Sequence, residues 1–193
     1  MATIYSTTTQ EGIDINNVFL LDTKTYPEYP APSFLAGELA WGTDGSEWVY
    51  CTASITVAIG SAVLVSQVPG SWSVALIGGS SVAAASNATG LLVGIIGGAT
   101  GSVAIPAPSG TQTGSYFWVQ RAGNAQNVRC LASTTKLSQL YSVATSGGVL
   151  SSSGGGSGTT YQINGIVITQ AAVGSAAGPN TAVLNYPVVG AGG

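Results

Sequence analysis

Seven carboxylates and no histidine define the chemistry open to this chain of 193 residues. Without His, the Ser/His/Asp and Cys/His arrangements for nucleophilic attack are excluded, along with the commonest general base and metal ligand. Paired carboxylates can still hydrolyse glycosides. Here, however, Glu11, Asp14, Asp22, Glu28, Glu38, Asp44 and Glu47 all lie in the first 47 residues, away from the later apolar runs that would wall a pocket. No enzyme is therefore expected. Asp44-Gly45-Ser46-Glu47 lacks the alternating oxygen ligands of a calcium loop and reads as a capped turn. The Gly-rich residues 94–101 lack the Lys and the strand-to-helix setting of a phosphate cradle. Cys51 and Cys130 have no metal-ligand spacing. They are expected to be buried free thiols, with a disulfide only if geometry allows. Asn87-Ala88-Thr89 matches a glycosylation triplet, which matters only in a secreted protein. Trp41, Trp48, Trp72 and Trp118 have the surface for a sugar-stacking platform, but large aromatics in β-proteins more often fill a core, and core is the expectation. No cofactor and no metal is expected.

The surroundings of these residues are poor in charge. Only 6% of residues are charged, whereas an ordinary globular domain carries about 25%. With 28 Gly and much Ala, Ser, Thr and Val, that shortage suits a tightly assembled β-protein, the alternative being a monomer kept polar by Ser, Thr, Asn and Gln. A net charge of −3 with four basic residues and no basic stripe excludes a nucleic-acid partner. A membrane partner is not expected either, because the most apolar window, residues 90–107, is broken by five Gly and Pro106. The N-terminus has no cationic start followed by an apolar core, so no signal peptide is expected and synthesis is placed in a cytoplasm.

Charge also divides the chain. The first 47 residues carry a net of six negative charges, with Lys24 their one base, while the other 146 hold Arg121, Arg129 and Lys136 and no acid. This partition predicts an extended acidic arm at residues 1–37 and a β-rich body at 38–193. Within the arm, Ile13, Ile15, Val18, Phe19, Leu20 and Leu21 can form a strand. Residues 25–34 then hold three Pro, which favours an extended strap excluded from the middle of a sheet. Tyr26, Tyr29 and Phe34 are costly in solvent, so the arm is expected to dock, either on its own body or on a neighbour.

The body reads as all-β, a compact sandwich or barrel. Leu39-Ala40-Trp41, the turn Gly42-Thr43-Asp44-Gly45 and residues 47–54 predict a first hairpin. Short β-branched runs follow at 55–58, 62–67, 72–77, 91–96, 103–105, 116–121, 127–132, 138–144, 161–169 and 182–186, spaced as in sandwiches and barrels. The centre is 114–130, GSYFWVQRAGNAQNVRC, where Tyr116-Phe117-Trp118-Val119 predicts a strand buried on both faces. Ala122-Gly123-Asn124-Ala125 is turn chemistry and predicts a hairpin with Arg121 and Arg129 at the ends of its arms, either solvated or facing an acidic partner. Residues 81–88 are the one candidate for a helical turn. Residues 91–101 and 162–172 echo one another, as a doubled β-unit or as two strands of similar composition. Residues 151–160 read as a flexible surface loop.

The aspartate-glycine turn and strand Asp44-Gly45-Ser46-Glu47-Trp48-Val49-Tyr50, the GSYFWVQRAG run, Asn164-Gly165-Ile166-Val167 and the closing Ala182-Val183-Leu184-Asn185-Tyr186-Pro187 resemble the head decoration, or cement, proteins of tailed bacteriophages. The acidic, Pro-rich arm departs from that group. The resemblance implies a β-rich structural protein on the exterior of the virion capsid, often a homotrimer, that binds the major capsid protein and braces neighbouring capsomers. Interface candidates on that view are Ile13, Ile15, Phe19, Leu20, Tyr26, Tyr29 and Phe34 of the arm, with Arg121 and Arg129 of the body. The rival is a receptor- or glycan-binding adhesin module of a fibre or tail. A self-assembling shell or tube subunit is a third reading.

Overall fold

The computed structural model describes residues 4–6, 19–22, 32, 34–53, 55–68, 71–78, 90–97, 104–105, 112–132, 134–153, 160–170 and 178–190. Ile13, Ile15, Tyr26 and Tyr29, the expected helical turn at 81–88 and the Asn87 triplet lie outside them. Among the described residues the fold is all-β. The strands are β1 (Ile4–Ser6), β2 (Phe19–Asp22), β3 (Leu39–Gly42), β4 (Glu47–Ala53), β5 (Val57–Ala58), β6 (Ala62–Val68), β7 (Ser71–Leu76), β8 (Leu92–Ile96), β9 (Ala104–Ile105), β10 (Gln112–Cys130), β11 (Leu140–Ser142), β12 (Leu150–Ser151), β13 (Gln162–Ile168) and β14 (Gly178–Val189). Twelve of them form one sheet, and β5 with β9 forms a second, two-stranded one.

The large sheet closes on itself twice. β4, β7, β6, β8 and β10 pair in a ring, and β10, β14, β13, β11 and β12 pair in another. Both expected architectures were open from the sequence, and the pairing gives barrels, two of them, fused along β10. Closure leaves the short strands β1 and β2 at the ends of the sheet and pairs the ring strands on both sides, which suits a chain with few charges to protect edges.

Each ring has its own apolar filling. Val49, Cys51, Val63, Val65, Phe117 and Val119 pack in the first, and Val128, Cys130, Leu140, Leu150, Ile163 and Leu184 in the second. The period-two alternation of a strand places Val63 and Val65 in the first core and Ala62 in the second, and Ile96 and Ile95 likewise divide between the two. Strands β6 and β8 are therefore a common wall. A third cluster, Ala40, Trp48, Tyr50 and Trp118, lies on the outer face of β4 and β10. This face explains the unbroken apolar run at Tyr116–Val119: the strand is covered on both sides, as expected from its sequence.

The N-terminal region meets its own body at three described places: β1 pairs antiparallel with β3, β2 pairs with β10, and Phe34 joins the third cluster. Phe19 and Leu20 stand opposite Tyr116 and Ser115 in an antiparallel β2–β10 pairing. Phe34 sets its ring edge-on to Trp118 at 5.1 Å and to Tyr50 at 5.5 Å. Aromatic pairs in this geometry contribute about 0.5–1.5 kcal/mol beyond the area they bury.

The expected hairpin at Ala122–Ala125 does not form. Residues 112–130 are one strand of 19 residues. Gly123, at φ 90°, absorbs the turn chemistry as a bend, and the Gln120 side-chain amide donates to the carbonyls of Ala122 and Asn124, both at 3.0 Å. With its carbonyls satisfied and β4 and β14 available as partners, the chain continues without reversing. Arg121 and Arg129 consequently sit within a strand and not at hairpin ends.

Candidate functional site

Two irregularities in the ladders meet at one place. Between β10 and β4, Gln120 faces Trp48 and Ala122 faces Glu47, so Arg121 is an extra residue on β10. Between β13 and β14, Asn164 faces Val188 and Ile166 faces Leu184, so the single Gly165 stands opposite Asn185, Tyr186 and Pro187. Gly165 makes room for that excursion: a Cβ on it would lie 2.6 Å from the Asn185 carbonyl oxygen. Bulges of this kind re-aim side chains out of the regular alternation.

The two re-aimed side chains stack. The Arg121 guanidinium carbon lies 5.6 Å from the centre of the Tyr186 ring, within cation–π range. The Tyr186 hydroxyl donates to Glu47 Oε2 at 2.8 Å, across 139 residues of sequence. That hydrogen bond, together with the negative charge of Glu47, raises the Tyr186 phenol above its ordinary pKa. Glu47 is buried, Tyr186 is half exposed, and Arg121 Nε is buried without a hydrogen-bond partner. Tyr186 also holds a left-handed backbone, φ 45°, which costs a non-glycine residue about 1–2 kcal/mol.

The floor is built by the β3–β4 hairpin. Ser46 N donates to Asp44 Oδ1 at 3.0 Å, which makes the Asp44 segment the capped turn expected of it. Hydrogen bonding from Ser46 holds the Asp44 carboxyl below its usual range. Ser46 Oγ in turn accepts from Trp48 Nε1 at 2.8 Å. Gly123 passes so close above that a Cβ on it would lie 2.7 Å from the Ser46 Cα.

Of the body residues singled out from sequence, Arg121 belongs to this cluster. Arg129 does not: its Nη1 donates to Ser61 Oγ at 3.4 Å and its backbone N–H to the Gly60 carbonyl, a seam between β10 and the turn before β6. Phe34 is committed to the Trp118 cluster. Of the four tryptophans, Trp48 and Trp118 are core, Trp72 is partly buried, and Trp41 is 41% exposed. Trp41 stands opposite Glu47 in the β3–β4 register, at the rim of the same cluster. Sequence reasoning missed Tyr186 and the role of Glu47. The signal present was a bulky residue between Asn185 and Pro187 near the end of an apolar run, a place where a regular strand is interrupted.

An open groove of about 530 Å³ between β6, β7 and β8 is lined mainly by Leu64, Val65, Val74, Leu91 and Leu92. It holds no titratable group. Among the described residues no cluster of His, Cys, Asp and Glu has the makings of a metal centre, and no helix is long and apolar enough to cross a membrane. Cys51 and Cys130 are free and buried, as expected of them. Compared with known proteins, the chain matches no family model and no curated protein.

Proposed function

We propose that this chain is a structural protein of a tailed-phage virion that binds the outer surface of the assembled capsid and braces neighbouring capsomers. One observation carries the reading: the four segments that resemble head decoration proteins lie on β4, β10, β14 and β13, which are consecutive neighbours in the sheet. The resemblance thus follows one continuous piece of architecture and not scattered composition. The closed barrels, with sheet ends left to the short strands β1 and β2, suit a part that must stay folded while bound.

On this reading the major capsid protein is the partner, the body forms a small closed homo-oligomer, and the N-terminal region with Ile13, Ile15, Tyr26 and Tyr29 supplies contacts beyond the body. Repetition over many capsid positions makes weak single contacts effective. Purified protein mixed with undecorated phage heads is expected to bind saturably and to run alone as a small oligomer in size exclusion with light scattering. Ile13→Asp combined with Phe19→Asp is expected to lower head occupancy. Absence of head binding by the unaltered protein overturns the proposal.

A further inference from the structure

Leu137 differs from the other exposed aliphatic side chains in being strained as well as uncovered. It is 72% exposed and holds a left-handed backbone, φ 59°, where glycine or asparagine sits at lower cost. The turn that carries it is nevertheless tied down. Thr134 is buried, and the Thr135 N–H donates to Ser152 Oγ at 3.1 Å. Ser138 Oγ donates to the Thr135 carbonyl at 2.7 Å, and the Leu137 N–H to the Ile168 carbonyl at 3.0 Å. The tip Lys136-Leu137 is thus held out in one shape, with little left to order on binding. Backbone strain of this kind persists where the surroundings overdetermine it, and it gathers at binding sites.

The groove between β6, β7 and β8 is the counterpart. Its apolar lining is Leu64, Val74, Leu91 and Leu92, with Leu91 37% exposed, and exposed Ser66 and Gln67 follow further along β6. At about 530 Å³ it is several times the cavity, on the order of 150 Å³, that accepts a benzene-sized group. It therefore has room for Leu137 and the aliphatic stem of Lys136. No charged residue lines it, and the chain carries no acid beyond Glu47. A tip whose one charge is Lys136 meets no like charge there, and the side-chain oxygens of Ser66 and Gln67 are acceptors suited to its ammonium. An apolar small molecule in the groove would leave the strained leucine without a purpose.

Tip and groove lie at opposite ends of β13. The Ile168 carbonyl holds Leu137 at one end. At the other, Ile163 pairs with Val189, whose N–H donates to the Leu91 carbonyl. The strand between residues 163 and 168 is ~17 Å long. Across that span a tip does not fill the groove of its own chain, but it meets the groove of a copy set end to end with it.

We propose that Lys136-Leu137 of one copy inserts into the β6–β7–β8 groove of a second copy and joins the two head to tail. The contact is heterologous: each chain gives one tip and receives another, and the copies form a ring where the rotation closes. It rests on the homo-oligomeric part of the capsid reading and not on attachment to heads.

Size exclusion with light scattering on the full chain, over a dilution series in the micromolar range, is the test. The unaltered protein is expected to assemble. Leu137→Asn suits the left-handed backbone and removes the apolar tip, while Leu91→Ser keeps the tip and spoils the groove. Each variant is expected to run as a monomer where the unaltered protein is assembled, with unchanged far-ultraviolet circular dichroism. Mixed in equal amounts, the two variants retain one intact contact, the tip of the Leu91→Ser chain in the groove of the Leu137→Asn chain. The mixture is therefore expected to give a dimer and nothing larger. A monomeric unaltered protein overturns the proposal, as does full assembly of Leu137→Asn, or a mixture of folded variants that stays monomeric. Because no heads are present, failure of this contact is read apart from failure of capsid binding.

Discussion

Leu137 and Tyr186 occupy the left-handed region without being glycine, at φ 59° and 45°, and they differ in what holds them there. Tyr186 is tied by Glu47 and Arg121. Leu137 is 72% exposed, its described restraint being its own N–H donated to the Ile168 carbonyl at 3.0 Å. Asparagine tolerates this backbone, so Leu137→Asn is expected to raise stability by about 0.5–1 kcal/mol in urea unfolding. The thiols give a second residue-scale prediction. Burial pushes Cys51 and Cys130 from an ordinary 9.0 up to about 12, opposed weakly by the Arg121 charge at Cys51 and by the Asn180 hydrogen bond at Cys130. The unfolded chain therefore ionises first. Stability from each thiol is fully present below the unfolded pKa and is lost as pH rises from about 9 towards 12, by up to about 1.4 kcal/mol per pH unit per thiol. Urea midpoints measured across that window are expected to fall, and Cys51→Ala with Cys130→Ala is expected to flatten the fall.

Among the elements, β10 decides the most. Gly123→Ala would place a methyl group against Ser46 at a φ of 90° that alanine resists, so a loss of about 2 kcal/mol or more is expected in urea unfolding. Amide exchange is expected to be slowest at Val119 and Gln120 of this strand, where β4 pairs on one edge and β8 on the other. The sequence disclosed β10's importance through Tyr116-Phe117-Trp118-Val119, because covering both faces of a strand demands an unbroken apolar run. It disclosed the β3–β4 hairpin through Gly42-Thr43-Asp44-Gly45 for a similarly local reason. It misdirected at Ala122–Ala125, since a glycine-asparagine pair serves a bend as well as a reversal. What decides between the two is whether distant strands supply partners, and β14, some 60 residues on, is not visible locally. The candidate site was hidden for the same reason. Arg121 stood out as a rare charge, but a register slip between β13 and β14 is a property of two strands together, so Tyr186 looked like an ordinary aromatic.

At the scale of the whole molecule, the common wall of β6 and β8 and the shared β10 couple the two cores. Phe117→Ala in the first core and Leu150→Ala in the second each empty a fully buried position, at an expected cost of about 3–5 and 2–5 kcal/mol. Because the cores share strands, both variants are expected to shift one common transition, seen as coincident loss of near-ultraviolet and far-ultraviolet circular dichroism. Two separated transitions would mean that the barrels are thermodynamically independent. The shared strand also sets an order in time during synthesis. All the strands of the first ring are contained between Glu47 and Cys130, so that ring can close while the chain is still leaving the ribosome. The second ring cannot close until β14 has emerged, and β14 ends at Val189. In that interval the far half of β10 stands without its partner, and Ala62, Val93 and Ile95 present their apolar side uncovered. Of the strands in the two rings, the last to be translated is thus the one that seals the second, and a nascent chain stopped before it would be a half-closed, adhesive intermediate.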